Sequence, residues 1–109
     1  MTGPTVSVII PTCNRPQLLI RALESVFSQT CLPDEILVVD DASAVSYREV
    51  LERYSSEGRA ELLYHRLERR GGGSAARNVG AELSRGEILM FLDDDDTWQP
   101  SKVEGQLRV

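Results

Sequence analysis

Four apolar segments, separated by stretches with helical periodicity, organise the chain. Residues 5–10 and 35–39 are almost continuously apolar and rich in β-branched side chains, a pattern that predicts strands buried on both faces of a sheet. Residues 60–65 predict a third strand, and residues 87–92, the most apolar run, predict a fourth strand that is also buried. We expect Pro11 to end the first strand.

Apolar residues in the intervals between these segments recur at the spacing of one helix face. Pro16 lies near the first position of the first helix, and Ser74 can cap the third. The predicted helices run from residue 16 to about 30, through 47–54, from 74 to 86, and onward from 100. The order β-α-β-α-β-α-β-α is typical of an α/β fold, with a mostly parallel sheet and helices on its faces.

Composition and charge narrow the class of protein. The chain has 12 basic and 17 acidic side chains, and the resulting net charge of −5 argues against nucleic acid as a partner. The apolar runs are far shorter than the roughly 20 residues of a membrane span, and no secretory signal pattern is present. Cys13 and Cys31 match neither a disulfide framework nor a metal motif, so we expect free thiols and a cytoplasmic location.

A chain of 109 residues corresponds to one small domain or to a portion of a larger one. The fourth predicted helix has barely begun when the sequence reaches Val109. We therefore expect residues 1–109 to be one portion of a longer domain, truncated after the fourth strand. Such a portion would leave a sheet edge and apolar faces uncovered, through which copies of the chain could self-associate.

Acidic side chains follow two of the predicted strands. In open parallel sheets, ligands bind outside the carboxyl ends of the strands. Asp40 and Asp41 follow the second strand, and four consecutive aspartates at residues 93–96, here called the acidic loop, follow the fourth. Asp40 and Asp41 alone also fit a simple turn with a helix cap. Two acidic segments at one sheet edge favour a functional role.

The acidic loop is the strongest chemical signal in the sequence. Two carboxylates ~4 Å apart repel by about 1 kcal/mol in water and by about 4 kcal/mol at an effective dielectric constant near 20. Four of them therefore favour a bound cation, and adjacent hard oxygen donors suit Mg²⁺ or Mn²⁺. The alternative is a solvated acidic turn.

A glycine-rich loop at residues 71–73 precedes the third helix, with arginines on both sides. Backbone N–H groups at a helix start, together with the guanidinium groups of Arg69, Arg70 and Arg77, could bind an anion. The alternative is a flexible loop with solvated arginines.

Two known motifs fit parts of this pattern. The G-x-G-x-x-A spacing at residues 71–76 matches a dinucleotide-binding fingerprint, although that motif directly follows the first strand of its fold. Asp93-x-Asp95-x-Thr97 resembles the nucleophile motif of haloacid-dehalogenase-type phosphatases, in which the first aspartate attacks phosphorus and the second is the acid/base. A non-catalytic nucleotide-binding module is a further alternative.

Four sequence blocks account for more of the chain than either motif. They are VSVIIPTCNR at residues 6–15, VVDDAS at 38–43, ARNVG at 76–80, and FLDDDD at 91–96 followed by Pro100. In this order and spacing they resemble the family 2 glycosyltransferases over nearly all of residues 5–104. The resemblance implies a GT-A fold, a nucleotide-diphosphate sugar donor, Mn²⁺ or Mg²⁺ as cofactor, and inversion at the anomeric carbon.

Carried over residue by residue, the resemblance assigns roles at the nucleoside. Asp41 would accept a hydrogen bond from the base, most naturally from N3–H of uracil, with Asp40 supporting the loop. Family members commonly have an aromatic side chain, which stacks on the base, where this chain has cysteine. The residues that would flank the nucleoside are Pro11, Thr12, Cys13 and Asn14.

The same resemblance places the diphosphate and the metal at the acidic loop. Arg77 would lie near the diphosphate or brace the acidic loop, Asp93 and Asp94 would hold the ribose side, and Asp95 would bind the metal. The catalytic base and the acceptor site of the family follow the metal motif, so we expect both after Val109. The acceptor would be a hydroxyl of a sugar, a lipid or a cell-wall glycan.

Overall fold

Strands and helices alternate along the chain as the sequence predicts. The computed structural model describes residues 4–55 and 60–107. No helix in these two ranges is long and apolar enough to cross a membrane. The strands are β1 (Val6–Thr12), β2 (Glu35–Asp40), β3 (Glu61–Arg66) and β4 (Ile88–Phe91), and the helices are α1 (Pro16–Phe27), α2 (Arg48–Ser55), α3 (Gly73–Leu83) and α4 (Lys102–Leu107).

The strands are all parallel and form one sheet in the order β3-β2-β1-β4, which confirms the predicted α/β fold. Every residue of β1 and β2 is buried, as predicted for strands covered on both faces. On one face, Val8 belongs to a core cluster with Leu23 of α1. On the other face, Ile9 and Val39 pack with Ala76 of α3. Alternate residues of the central strands therefore serve two separate cores.

Pro11 does not end β1, contrary to the sequence prediction. The strand continues to Thr12, whose carbonyl accepts a hydrogen bond from Asp41 N–H, on the side of β2, at 2.9 Å. The backbone N–H and C=O groups of the odd-numbered residues of β1 point toward β4 instead, since the carbonyl of Ile9 accepts from Leu92 N–H at 3.0 Å. The missing N–H of Pro11 therefore limits the ladder with β4 and leaves the pairing with β2 intact.

Strand β4 is an edge strand rather than the fully buried strand that its apolar composition predicts. Within residues 4–55 and 60–107 it pairs only with β1, and Met90 is the one buried residue of the strand. Leu89 and Phe91 are 37% and 45% exposed. An apolar run cannot show how many neighbours a strand has, which is why the prediction failed. Self-association through this edge stays a prediction.

Helix α1 ends at Phe27, earlier than the predicted end near Thr30, because the chain there turns to meet the start of α4. The side chain of Gln29 donates a hydrogen bond to the carbonyl of Gln99 at 2.7 Å. It also accepts one from Val103 N–H at 2.9 Å. The Thr30 N–H donates to the carbonyl of Pro100 at 2.8 Å, so the backbone there bonds to the segment before α4 instead of continuing the helix.

A buried carboxylate, Glu35, joins the amino ends of the central strands. The Ser7 hydroxyl and Arg85 N–H each donate to Glu35 Oε2 at 2.6 Å. Gly86 N–H donates in turn to the Ser7 hydroxyl at 2.8 Å. Burial raises the pKa of Glu35, but these hydrogen bonds and the charge of Arg85 outweigh burial and hold the pKa below its ordinary value.

We expect Glu35→Gln to flatten the acid limb of the stability profile. A carboxyl whose pKa is lowered by folding stabilises the fold above its ordinary pKa of 4.5, and this stabilisation is lost as the pH falls through the folded value. Chemical denaturation of the parent and the variant between about pH 3 and pH 7 measures the difference. The exposed Glu52→Gln serves as the control, and parallel profiles for parent and Glu35→Gln would contradict this role.

We expect Gly80→Ala to destabilise the fold by about 1–3 kcal/mol, the usual cost of overpacking. Gly80 lies where α3 approaches the sheet, and a Cβ there would lie 2.5 Å from Ile9 Cγ2 and 3.2 Å from Val39 Cγ2. The matched control is Gly105→Ala in α4, where a Cβ meets nothing within 4 Å. This control should gain about 0.5–1 kcal/mol from helix propensity, so the two free energies of unfolding should change in opposite directions.

Candidate functional site

A cleft of about 290 Å³ lies at the carboxyl edge of the sheet, between the ends of β1 and β2, the start of α3 and the acidic loop. Among the nine residues that the family resemblance places at the nucleotide or the metal, eight line this cleft, and Asn14 does not. Parallel strands all end at the same edge, which brings these distant segments together. The eight are Pro11, Thr12, Cys13, Asp41, Arg77, Asp93, Asp94 and Asp95.

Asn14 joins the loop after β1 to the loop after β2. Its backbone adopts the left-handed region (φ 55°), which asparagine tolerates better than most residues. Asn14 N–H donates to the Ser43 hydroxyl at 2.8 Å, and Asn14 Oδ1 accepts from Ala44 N–H at 2.7 Å. Asn14 therefore shapes one end of the cleft by holding two loops together.

Asp40 is fully buried behind the second of these loops and accepts hydrogen bonds on both carboxylate oxygens. Oδ1 accepts from Ser43 N–H at 2.9 Å and from the Ser43 hydroxyl, while Oδ2 accepts from the Tyr64 hydroxyl. Burial and the hydrogen bond to Asp40 raise the pKa of Tyr64 far above its ordinary value, so Tyr64 remains a donor. Ala42 follows in the left-handed region (φ 55°), where alanine is strained.

Asp41 is buried at the cleft and binds the glycine-rich loop. Its Oδ1 accepts from Gly71 N–H at 2.7 Å, and its Oδ2 accepts from Gly72 N–H at 2.9 Å. Two backbone donors of the predicted anion site therefore already bind a carboxylate of this chain. Arg69 and Arg70 of that predicted site are exposed and do not line the cleft.

Arg77 connects α3 to the acidic loop. The chain enters this helix through Gly72, which has a φ of 89°, and no side chain caps the helix, so the prediction that Ser74 is the cap is wrong. Gly73 leaves room for the guanidinium, since a Cβ there would lie 3.1 Å from Arg77 Nη1. Arg77 Nη2 lies 2.7 Å from Asp93 Oδ1. A charged contact thus holds one side of the acidic loop.

Asp94 is buried against the end of β1. Its Oδ2 accepts from the Thr12 hydroxyl at 2.8 Å, and its Oδ1 lies 3.5 Å from Arg15 Nη1. The Thr12 hydroxyl also lies 2.8 Å from the Tyr47 hydroxyl. Burial holds the pKa of Asp94 above its ordinary value, although the hydrogen bond from Thr12 and the charge of Arg15 lower it in part. Asp94 therefore anchors the acidic loop to the centre of the sheet.

Asp93, Asp95 and Asp96 are exposed, and each offers a carboxylate oxygen within 4.8 Å of the others. Three hard oxygen donors at this separation fit Mg²⁺ or Mn²⁺, which prefer oxygen ligands. Asp96 was not predicted as a separate site residue, although its place in the run was a signal. Arg15 also lines the cleft and was not predicted as a site residue, because its sequence position marks a helix start.

The sheet order and the cleft at its carboxyl edge define the GT-A class of glycosyltransferase domain, since solved members of that class superimpose on the chain. The chain belongs to glycosyl transferase family 2, whose sequence profile matches residues 7–109. The resemblance stated from the four sequence blocks is therefore confirmed.

Three known proteins illustrate the similarity. The chain is 36% identical over 105 residues to the Bacillus subtilis (strain 168) glycosyltransferase TuaG, named for teichuronic acid biosynthesis, covering 95% of this chain and 41% of TuaG. S. aureus TarS 1–349 in complex with UDP-GlcNAc superimposes with a TM-score of 0.82 at 30% identity, covering 94% of this chain and 30% of that one. The Pyrobaculum calidifontis mannosyltransferase PcManGT, in complex with GDP-Man and Mn²⁺, gives 0.82 at 27% identity, covering 94% and 31%. The chain thus spans less than half the length of each.

We expect Asp41→Asn to loosen the glycine-rich loop. An amide nitrogen in place of one oxygen would face a backbone N–H, and losing a hydrogen bond to a charged group costs about 1.5–3 kcal/mol. Faster amide exchange at Gly71 and Gly72, measured by NMR, and a lower free energy of unfolding are the expected results. Glu68→Gln removes the same charge from an exposed side chain near this loop and should change neither quantity. Unchanged exchange in Asp41→Asn would exclude the role of Asp41 in ordering the loop.

Proposed function

We propose that residues 1–109 form the donor-binding portion of an inverting, metal-dependent glycosyltransferase, which transfers a sugar from a nucleotide-diphosphate sugar to a hydroxyl acceptor. The observation that carries this proposal is the convergence of eight predicted site residues in one cleft. Membership of family 2 and solved neighbours in complex with UDP-GlcNAc and GDP-Man support it.

The nucleoside end of the cleft, in this proposal, is the wall formed by the end of β1 and by Asp41. Cys13 is half-buried there, and its sulfur donates to the carbonyl of Asp41 at 3.4 Å. A small polarizable thiol then lies beside the base, in place of an aromatic ring. UDP is the expected nucleotide, with N3–H of uracil donating to the Asp41 carboxylate; guanine and thymine also carry a ring N–H donor, so GDP and TDP are the comparisons.

The metal end of the cleft is the acidic loop. Asp93, Asp95 and Asp96 would hold Mn²⁺ or Mg²⁺, with Asp93 also near the ribose. When bound, the cation supplies Lewis-acid stabilisation of charge on the departing nucleotide. The net charge of −5 repels a diphosphate at long range, so Arg77 supplies positive charge locally. Asp94 is buried, and we assign it to positioning the acidic loop rather than to contact with the ribose.

The remaining roles lie outside the cleft. We place the catalytic base and the acceptor site after residue 109, and the acceptor hydroxyl on a sugar, lipid or cell-wall glycan. The name of the relative TuaG, which refers to teichuronic acid biosynthesis, supports an acceptor in polysaccharide assembly. We also propose a cytoplasmic location, because the two cysteines of the sequence fit no disulfide framework.

Ligand-dependent melting tests the proposal. We expect Mn²⁺ with UDP to raise the melting temperature more than either alone, with a gain of about 2.7 kcal/mol at 100 times the dissociation constant. Asp95→Asn should lose the Mn²⁺-dependent gain because it removes a metal ligand, whereas Glu68→Gln should keep it. GDP and TDP in the same assay measure the preference for the base.

The melting assay with NAD and an assay of phosphomonoester hydrolysis separate the alternatives. Stabilisation by NAD without metal would favour a dinucleotide-binding protein. Hydrolysis of a phosphomonoester that depends on Asp93 would favour a phosphatase with an aspartyl nucleophile. Equal stabilisation of Asp95→Asn and the parent by Mn²⁺ and UDP would contradict the metal assignment.

A further inference from the structure

Arg15 lies on the wall of the cleft, between the end of β1 and the acidic loop. Its guanidinium Nη1 is 3.5 Å from Asp94 Oδ1 and 3.7 Å from Asp95 Oδ2. The backbone of Arg15 is fixed, because its N–H donates to the Tyr47 hydroxyl at 2.9 Å and its carbonyl accepts from Leu19 N–H at 3.0 Å. The side chain therefore starts from a rigid base directly beside the acidic loop.

The two carboxylates that Arg15 contacts differ in their surroundings. The side chain of Asp94 is 8% exposed and receives the Thr12 hydroxyl, so its contact with Arg15 is part of the packed structure. The side chain of Asp95 is 56% exposed, and its carboxylate also belongs to the three-aspartate group that fits a divalent cation. Asp95 is therefore shared between a guanidinium and a prospective metal site.

The charges around the acidic loop show why such sharing has a consequence. Arg15 and Arg77 set two positive charges against four carboxylates, which leaves an excess of two negative charges. A divalent cation matches that excess, but it would also lie close to the guanidinium of Arg15 and repel it. An anionic diphosphate in the cleft would offset this repulsion, because it attracts both the divalent cation and the guanidinium of Arg15.

We propose that Arg15 is the built-in counter-cation of the acidic loop. Its guanidinium contacts the Asp95 carboxylate when no divalent cation is bound. It loses that contact when Asp95 coordinates a cation together with Asp93 and Asp96. The guanidinium keeps its contact with Asp94 and faces the cleft, where a nucleoside diphosphate meets it. The nature of the cation and of the anion rests on the proposed function. Arg15 therefore opposes binding of the metal alone and strengthens the coupling between metal and diphosphate.

The test measures Mn²⁺ binding by electron paramagnetic resonance of the free ion, with and without UDP, on the full chain. Arg15→Gln should bind Mn²⁺ alone about threefold to tenfold tighter, the size expected for one partly solvated charge. The factor by which UDP strengthens Mn²⁺ binding should fall by a similar amount. Arg15→Lys keeps the charge but loses the planar fork, so it should lie between parent and Arg15→Gln.

Arg48→Gln is the matched control, because it removes the same charge and one ion pair, with Glu52 at 2.8 Å, from the exposed face of α2. It should bind Mn²⁺ as the parent does, and circular dichroism should show that all variants fold.

Unchanged or weaker Mn²⁺ binding by Arg15→Gln would overturn the proposal, as would an equal gain in Arg48→Gln. If Arg15 fails in this way while UDP still strengthens Mn²⁺ binding, the proposed function stands. If UDP has no effect in the parent but Arg15→Gln binds Mn²⁺ tighter, Arg15 stands as the counter-cation of the acidic loop, whereas its role in coupling metal to diphosphate fails together with the proposed function. No Mn²⁺ binding by parent or variant would overturn both.

Discussion

Repulsion between carboxylates at one sheet edge is the constraint on which the arrangement of the site depends. Two parallel strands end in aspartates there, after β2 and in the acidic loop. Three of these aspartates are buried, and each accepts hydrogen bonds from nearby donors. A hydrogen bond to a charged group contributes about 1.5–3 kcal/mol. The other three stay exposed at mutual distances that suit a cation. The buried aspartates are Asp40, bound by Ser43 and Tyr64, Asp41, bound by Gly71 and Gly72, and Asp94, bound by Thr12.

The order of the elements could be predicted from sequence because strand and helix periodicity are local properties of the chain. The errors arose where a neighbour decides the outcome. Pro11 stays in β1 because its nitrogen points toward β4, whose pairing with β1 already ends at Ile9, while the pairing with β2 continues through Pro11. Ser74 is not a cap because a left-handed Gly72 sets the start of α3. β4 is half exposed because one side of it has no strand in the described chain.

The position of the candidate site could also be predicted, because parallel strands bring their carboxyl ends to one edge whatever the details of packing. The burial of one member of the acidic loop could not be predicted. Four consecutive aspartates carry no local signal for burial, whereas the turn after β4 buries Asp94 and exposes its neighbours. Arg15 was likewise hidden, since a residue beside Pro16 has the pattern of a helix start and nothing local shows that its side chain reaches the acidic loop.

The two ends of the cleft are linked by a short path through the glycine-rich loop. Asp41 binds the N–H groups that precede α3, and α3 carries Arg77 to Asp93. A ligand that donates a hydrogen bond to the Asp41 carboxylate would therefore compete with the Gly71 and Gly72 N–H groups, and these belong to the backbone that positions Arg77. If the proposed cation and base bind at these two ends and are coupled through this path, the coupling is reciprocal, so each would change the affinity for the other by the same factor. In the proposed function, the preference for a nucleotide would therefore depend on both ends of the cleft together.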